Sequence, residues 1–256
     1  MKAYIQCEKG KINNDNFFKA YLGFKEMGFE TVLFSTEEEL MQSNKEDVVV
    51  GYIGTVLKRL HDFDIVVPNL DYPDELKKNL GRKIWESTIN AVASSPEIWP
   101  VFVKPKEIKA FTGVVVNSTQ DLIGCGAYNG DREVFCSEIV HFVSEWRCFV
   151  RYGKIIDVRP YKGDWKCHYD SSVIENCISD YTDCPAGTGI DFGLTDDGRT
   201  ILIEVNNGYS LGSYGLYYPE YAKLLSARWA ELTDTKDECD FLNERSLFLS
   251  KKLRNK

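Results

Sequence analysis

Three side chains that carry oxygen ligands come close together in the last third of the sequence. The segment ILIEVN is apolar apart from Glu204 and Asn206, which are two residues apart and therefore project from the same face of a strand. Asp191 precedes them on the partner strand of a predicted hairpin, whose turn reads TDDG. Folding of that hairpin brings Asp191 beside the other two. Two carboxylates and an amide oxygen suit Mg²⁺ or Mn²⁺, with phosphate oxygens and water completing the coordination.

A polar outer face on an edge strand is the alternative interpretation of the same residues. It accounts well for Asp196 and Asp197 in the turn. It accounts less well for Glu204, because the apolar residues on both sides of it predict a central strand. We therefore favour the metal site and expect Glu204 to lie on a central strand.

A basic loop forms the second candidate site. Lys104 ends the apolar strand VFVK, where a cation without an anionic partner would be costly. The following loop contains Lys106, Lys109 and Gly113, and a glycine that frees backbone N–H groups suits a loop closing over a triphosphate. The loop is not a GxxxxGK[ST] motif, and the chain has no GxGxxG between a strand and a helix. A solvated lysine hairpin is a fair alternative for Lys106 and Lys109 and a weaker one for Lys104.

A third group of charges lies on two predicted strands between these segments. Glu145 and Arg147 share one strand face, and Arg159 lies on the next strand. Two arginines facing a metal-carboxylate cluster would clamp phosphates or stabilise charge that develops during phosphoryl transfer. A cross-strand salt-bridge ladder that involves Glu145 explains the same pattern equally well.

The elements that must position these residues follow two patterns. Over roughly the first 75 residues, strands alternate with helices, which predicts a small parallel α/β layer. The predicted strands are KAYIQC, FETVLFS, EDVVVGY and DIVVPN, and the predicted helices are DNFFKAYLGFKEMG, TEEELMQS and TVLKRLHDF, the second of which is capped by Ser35 or Thr36. Next, YPDELKKNLGRKIWESTINAVASS has a helical pattern. Antiparallel hairpins follow, and the chain ends in two helices, at about 217–232 and 237–252.

Composition limits the classes of function. The 256 residues are 43% hydrophobic and carry a net charge of −8, which argues against a nucleic-acid partner. No segment approaches the about 20 apolar residues of a membrane span, and no secretory signal is visible. We therefore expect a cytoplasmic protein whose eight cysteines are reduced thiols. The cysteine spacings match no zinc pattern. The oligomeric state stays open.

Taken in order, these segments resemble the ATP-grasp superfamily. The matching pattern is a strand lysine with a glycine-containing loop (Lys104 to Gly113), the segment SEIV, a strand E-x-R with a following arginine, and G-x-D with E-x-N. The short loop KPKEIKAFTG and the compact length are most similar to the RimK-related R2K clade. The resemblance implies an N-terminal parallel α/β lobe over residues 1–78. Two antiparallel α+β lobes, over 79–140 and 141–256, would follow and clamp a nucleotide.

The resemblance also assigns roles to individual residues. Asp191, Glu204 and Asn206 would hold Mg²⁺, with two ions expected and Mn²⁺ as an alternative. Arg147 and Arg159 would be the catalytic cations. The residues implied in nucleotide binding are Arg82 (favoured over Lys83), Lys104, Lys109 and Gly113 at the phosphates, the main chain of Glu138, Ile139 and Val140 at adenine, and Glu145 at the ribose or the substrate.

The implied chemistry is ATP-dependent ligation of a carboxylate to an amine through an acylphosphate, with small-molecule or peptide substrates. A small-molecule kinase and a non-catalytic nucleotide-binding module are the alternatives. The sequence departs from the common family pattern after E-x-N, where many relatives continue with a small residue and proline but this chain continues NGYSLGSYGL. We expect this loop to line the acceptor pocket, and no particular substrate is carried over from the family.

Overall fold

A computed structural model describes residues 1–128 and 130–254 of the chain. The chain forms two compact units. The smaller unit is Leu80–Phe142, and the larger unit combines Met1–Asn79 with the chain from Val143 onwards. The lobe limits expected from the resemblance, at 78/79 and 140/141, remain predictions.

The larger unit begins with a small parallel sheet. Its strands are β1 (Lys2–Gln6), β2 (Glu30–Phe34) and β3 (Val48–Val50), in the order β2-β1-β3. The helices are α1 (Asp15–Glu26), α2 (Glu37–Leu40) and α3 (Ile53–Asp62). Asn14 caps α1 by accepting from two backbone N–H groups, and Thr36 caps α2 in a capping box with Glu39.

The smaller unit is an antiparallel sheet with one short helix. Its elements are β4 (Ile84–Thr88), α4 (Ile89–Ala93), β5 (Val101–Pro105), β6 (Val114–Val116) and β7 (Glu133–Ser137). The strands pair in the order β4-β7-β5-β6. Alternate residues of β5 and β7 point inward, so that Val101, Val103, Val134 and Cys136 form a core that is fully buried.

The expected continuous helix over residues 72–95 is wrong. This stretch is a 3-10 turn at Asp74–Asn79, then strand β4, then the short α4. Gly81 has φ of +61°, which a helix does not accommodate, and Ile84, Trp85 and Thr88 are residue types that favour a strand. Arg82 therefore lies just before a strand instead of at the end of a helix.

The chain then returns to the larger unit and forms its second sheet. The strands are β8 (Phe142–Arg151), β9 (Lys154–Gly163), β10 (Gly187–Thr195) and β11 (Thr200–Asn207), with α5 (Ser171–Asp180) between the two hairpins. The sheet order is β11-β10-β8-β9. Tyr152 and Gly153 both have positive φ in the β8–β9 turn, as a two-residue hairpin of right-handed twist requires.

Two helices complete the larger unit. They are α6 (Tyr218–Thr233) and α7 (Glu244–Arg254). The second begins later than the expected residue 237, because Asp237 is buried and accepts hydrogen bonds from Arg151 and Tyr152 instead of opening a helix. Among the residues that the structure describes, none of the helices combines the length and apolar character that a membrane span needs.

The first sheet and α6 share one apolar core. Phe24 of α1 and Tyr221 and Trp229 of α6 are almost fully buried in it. A side-chain carbon at Gly23 would lie 2.2 Å from the carbonyl oxygen of Tyr218, so glycine lets α1 and α6 approach closely. The N-terminal residues are therefore part of the same packed body as the C-terminal half of the chain.

The fourth parallel strand expected at DIVVPN does not form. Val66 is 89% exposed, and the segment instead runs towards the edge of the second sheet. There the Val205 N–H donates to the Asp71 carbonyl at 2.9 Å, and the Asn207 side-chain amide donates to the Pro68 carbonyl at 3.1 Å. The expectation that Glu204 lies on a central strand is also wrong, because β11 is the edge strand of its sheet.

Candidate functional site

The β10–β11 hairpin places the three predicted metal ligands together. Asp191 and Glu204 are directly opposite each other across the hairpin, and Gly189 is opposite Asn206. Residues opposite each other in an antiparallel pair share a face, and residues two apart on one strand do as well. The Asn206 side-chain amide donates to Asp191 Oδ2 at 3.2 Å. The turn residues TDDG fix the length of the loop, and a register shift between Asp191 and Phe192 then puts Asp191 opposite Glu204.

Asp191 is held by an arginine from a strand that is distant in sequence. Arg147 on β8 donates from Nε to Asp191 Oδ1 at 2.7 Å and from Nη2 to Oδ2 at 2.6 Å. Both side chains are buried, at 8% and 4% exposure. Burial raises the pKa of Asp191 to about 6, although Arg147 opposes this effect. Burial lowers the pKa of Arg147, but the nearby negative groups, Asp191 first, outweigh it, so its pKa is raised and the guanidinium remains charged.

The donor set at this hairpin fits Mg²⁺. Two carboxylates and an amide supply only oxygen ligands, which Mg²⁺ prefers. Within the described ranges, 1–128 and 130–254, no three His, Cys, Asp or Glu side chains come close enough to hold a metal ion by themselves. A cation at Asp191 and Glu204 therefore has to draw further oxygens from Asn206, water or a phosphate-bearing ligand.

The remaining charges of β8 and β9 have ion-pair partners of their own. Arg147 lies directly opposite Arg159, which instead pairs with Asp157 on its own strand, Nε to Oδ2 at 2.7 Å. Lys162 donates to Glu145 Oε1 at 2.5 Å across the two strands. The salt-bridge ladder therefore accounts for Glu145. It does not account for Arg147, which pairs with β10, or for Arg159, which stays half-exposed.

Two tyrosines cover Arg147; Tyr161 was not predicted as a site residue, and Tyr214 was predicted only as part of the loop NGYSLGSYGL. Tyr161 is the extra residue where the β8–β9 register shifts, and such bulges redirect side chains near functional sites. Its ring stacks on Tyr214 with centroids 4.9 Å apart. The Arg147 guanidinium lies 5.0 Å from the Tyr214 ring and 6.0 Å from the Tyr161 ring. Burial, followed by the charges of Asp191 and Glu145, raises the pKa of Tyr161, so the phenol stays neutral.

The glycine- and tyrosine-rich loop after β11 is anchored to the first sheet. The Ser210 hydroxyl donates to the Gly51 carbonyl at the end of β3. The Ser213 N–H and hydroxyl both donate to Asn16 on α1, and Lys19 donates to Ser213 at 3.1 Å. Tyr214 has φ of +42°, an uncommon conformation for a bulky residue. The N-terminal sheet therefore fixes the position of Tyr214, a role that no local motif revealed.

The smaller unit carries the predicted phosphate loop as a hairpin. Lys104 is half-buried on β5 opposite Phe135, and Lys106 pairs with Glu86 at 3.0 Å. Lys109 is exposed and left-handed at φ of +57°. A side-chain carbon at Gly113 would lie 2.5 Å from the Phe102 ring, so packing against that ring also requires glycine here.

The segment after β7 faces the start of β4. The Glu138 N–H donates to the Lys83 carbonyl at 3.1 Å, and the Lys83 N–H donates back to Glu138 Oε2 at 2.9 Å. Ile139 and Val140 follow outside the strand. Arg82 Nη1 donates to the Leu80 carbonyl at 3.0 Å, and its guanidinium lies 6.0 Å from the ring of Phe142.

Comparison with solved structures identifies the fold. A structure of D-alanine–D-alanine ligase from Bacillus anthracis complexed with ATP matches 97% of this chain and 97% of its own, at 15% identity and a TM-score of 0.54. An N5-carboxyaminoimidazole synthetase from Staphylococcus aureus matches 92% of this chain and 77% of its own, at 11% identity and a TM-score of 0.56. The ATP-grasp ligase PsnB, complexed with a minimal precursor, matches 89% and 99%, at 12% identity and 0.53. The architecture is thus the ATP-grasp fold.

The family follows from the sequence model that matches the chain. The model of the ATP-grasp domain, R2K clade family 2, covers residues 80–224, which is more than half of the chain. The chain therefore belongs to this ATP-grasp family, and the resemblance drawn from the motifs is confirmed. No curated protein sequence matches the chain.

Proposed function

We propose that the chain is an ATP- and Mg²⁺-dependent ligase that joins a carboxylate to an amine. A carboxylate oxygen of the first substrate attacks the γ-phosphorus of ATP, the bond to the β–γ bridging oxygen breaks, and ADP leaves with that electron pair. The amine nitrogen of the second substrate then attacks the acyl carbon of the acylphosphate, phosphate departs, and the nitrogen loses a proton. The observation that carries this proposal is the convergence of Asp191, Glu204, Asn206 and Arg147 in an ATP-grasp protein.

The residues of the larger unit would place positive charge beside two anions that repel each other, the substrate carboxylate and the triphosphate of ATP. Asp191, Glu204 and Asn206 would hold Mg²⁺, which when bound neutralises charge on the phosphate oxygens. Arg147 and Arg159 would stabilise charge that develops during phosphoryl transfer. Glu145, with Lys162 beside it, would contact the ribose or a substrate amine.

The residues of the smaller unit would bind the nucleotide. Lys104, Lys109, Gly113 and Arg82 would contact phosphates. The Glu138 N–H already donates to Lys83. We therefore assign the adenine edge mainly to the main chain of the residues that follow, Ile139 and Val140.

The names of the structural neighbours favour a ligase over a kinase. Two of the three are ligases and the third is a synthetase. Neither the carboxylate nor the amine is carried over from them, since the loop NGYSLGSYGL departs from the common family pattern where the acceptor pocket is expected. The proposal covers small-molecule substrates and peptide substrates alike.

ADP release tests the proposal. The purified chain would be incubated with ATP, Mg²⁺ and pairs of carboxylates and amines, including amino acids and peptides, with products identified by mass spectrometry. We expect substrate-dependent ADP release with an amide product, and its loss on removal of Mg²⁺ by EDTA. A stable phosphate ester in place of an amide would indicate the kinase alternative.

A pair of variants on one hairpin assigns the activity to this site. Glu204→Gln should abolish ADP release without changing the unfolding temperature. Asp197→Asn removes a carboxylate in the exposed turn of the same hairpin, where it pairs with Arg199, and should leave turnover unchanged. Normal turnover in Glu204→Gln would show that the metal site is elsewhere.

A further inference from the structure

Both carboxylate oxygens of Asp191 are engaged by the protein itself. Oδ1 accepts from Arg147 Nε, and Oδ2 accepts from Arg147 Nη2 and from the Asn206 amide. The ion pair is bidentate, short and buried, which is the strongest arrangement that a guanidinium and a carboxylate form. Asp191 thus already has a cation in the position where the proposed function puts a metal.

A divalent ion and a guanidinium cannot both sit against this carboxylate at little cost. Like charges a few ångströms apart repel strongly where water is excluded. A metal ion that uses Asp191 as a ligand therefore competes with Arg147 for this carboxylate, and the binding energy of the ion is reduced where the ion pair is broken.

We propose that Arg147 is the resident counter-ion of Asp191 and that the metal ion replaces it there, which frees the guanidinium to bind an anion of the reacting substrates. This inference rests on the proposed function only in taking Asp191 as a metal ligand. Arg147 is a positioning residue for Asp191 before the exchange, and a binding residue for the carboxylate or the transferred phosphate after it.

Two aromatic rings lie beside the guanidinium of Arg147 in its paired position. The rings of Tyr214 and Tyr161 lie 5.0 Å and 6.0 Å from it, and such rings would also favour the cation once the metal took its place at Asp191. Tyr214 is 43% exposed and belongs to the loop that follows β11. The aliphatic part of Arg147 packs on Gly189, where a side-chain carbon would lie 2.9 Å from its Cδ. The side chain is therefore packed against the strand at its base and lies beside two rings at its tip.

The exchange links two binding events. Without the metal, the guanidinium is paired and a substrate anion has to compete with Asp191 for it. With the metal in place, that competition ends, so metal and anion raise each other's affinity by the same factor. The protein would thereby bind the anionic substrate well only when the metal nucleotide is already present.

Binding of Mn²⁺ alone tests the exchange without nucleotide or turnover. Mn²⁺ affinity would be measured by calorimetry, and by electron paramagnetic resonance of the free ion, for the full chain and for Arg147→Gln and Arg147→Lys. We expect Arg147→Gln to bind Mn²⁺ about tenfold tighter or more, because no cation is left to displace. Arg147→Lys keeps the positive charge without the bidentate geometry. Its Mn²⁺ affinity should therefore lie between that of the parent chain and that of Arg147→Gln.

Two controls assign the gain to Asp191. Lys162→Gln removes a cation of the same sheet that pairs with Glu145 instead, and its Mn²⁺ affinity should stay within about threefold of the parent. Adding Asp191→Asn to Arg147→Lys should cancel the gain. If Arg147→Gln does not fold, Arg147→Lys alone decides the result.

Unchanged or weaker Mn²⁺ binding in the Arg147 variants would overturn the inference, and so would a gain that survives Asp191→Asn. Because no ATP is present, failure of the exchange and failure of the ligase proposal are separate results. Absent ADP release with a tenfold gain in Mn²⁺ affinity would refute only the ligase activity.

Discussion

The cations of the two units are held in opposite ways. In the larger unit, Arg147 is buried and bound at two points to a buried carboxylate. In the smaller unit, the loop cations lie near the surface. Lys106 pairs with the largely exposed Glu86, and Lys109 is exposed in a left-handed turn. The first arrangement is fixed before any ligand binds, whereas the second is formed by side chains that water still reaches.

The difference indicates two ways of preparing for an anionic ligand. A buried pair fixes geometry strongly, but its charges are available only after the pair is broken. Exposed lysines contribute little to folding and keep their charge available for a phosphate. We therefore expect substitutions at the buried pair of the larger unit to affect folding and metal binding together, and substitutions of the nucleotide-binding lysines of the smaller unit to affect ligand binding alone.

Asp191→Ala should have the largest effect. It leaves the Arg147 guanidinium buried without its counter-ion, which costs about 3–5 kcal/mol of unfolding free energy. Urea denaturation followed by circular dichroism measures it. Asp197→Ala, in the exposed turn of the same hairpin, is the matched control and should cost less than about 1 kcal/mol. Equal losses in the two variants would contradict the contrast between a buried and an exposed ion pair.

Gly189→Ala should come next. The added carbon would lie 2.9 Å from Arg147 Cδ and equally close to Leu211, so overpacking should cost about 1–3 kcal/mol and shift Arg147 away from Asp191. Gly54→Ala is the control, because nothing lies within 4 Å of a side-chain carbon there. Thermal unfolding of both variants gives the comparison, and a neutral Gly189→Ala would show that Arg147 is not fixed at its base.

Lys104→Ala, in the smaller unit, should weaken nucleotide binding while leaving the unfolding free energy nearly unchanged. A hydrogen bond to a charged group contributes about 1.5–3 kcal/mol, so affinity for a fluorescent ATP analogue should fall about tenfold or more. The unfolding free energy should change by less than about 1 kcal/mol. Unchanged affinity would remove Lys104 from the nucleotide site.

Lys106→Ala should have the smallest effect. Its partners are the carboxylates of Glu86 at 3.0 Å and Glu133 at 3.9 Å, both on the surface. Such exposed pairs contribute about 0–1 kcal/mol. We expect affinity for the ATP analogue within about twofold of the parent chain, measured by the same titration. A loss as large as that of Lys104→Ala would mean that the whole loop binds phosphate.

Local sequence signals predicted the hairpins and the residues they bring together. The turn TDDG and the period of two along ILIEVN were enough to predict that Asp191 lies beside Glu204 and Asn206, but not the register shift that puts Asp191 directly opposite Glu204. They were not enough to pair Asp191 with Arg147, because β8 and β10 are neighbours in the sheet but are separated in sequence by β9 and α5. Strand order across such a gap depends on packing that no local pattern records.

The wrong expectations share a physical cause. The segment KIWESTINAV has a helical distribution of apolar residues, but β4 gains a full set of ladder hydrogen bonds to β7 in place of an isolated helix. DIVVPN is apolar enough for a strand, and yet its Pro68 carbonyl accepts from the Asn207 side-chain amide of β11 and not from a neighbouring strand of the first sheet. In both cases, the partner that decided the structure lies more than 40 residues away.

The close approach of α1 to α6 has a consequence for how the chain folds during synthesis. The ribosome synthesises the first sheet long before Tyr218 and Trp229. Until these residues have been added, the apolar faces that they cover in the folded chain remain exposed to water. Among the described residues, the core of the smaller unit is formed between Trp85 and Cys136, so it can close as soon as it emerges. We therefore expect the middle of this protein to finish folding before its beginning.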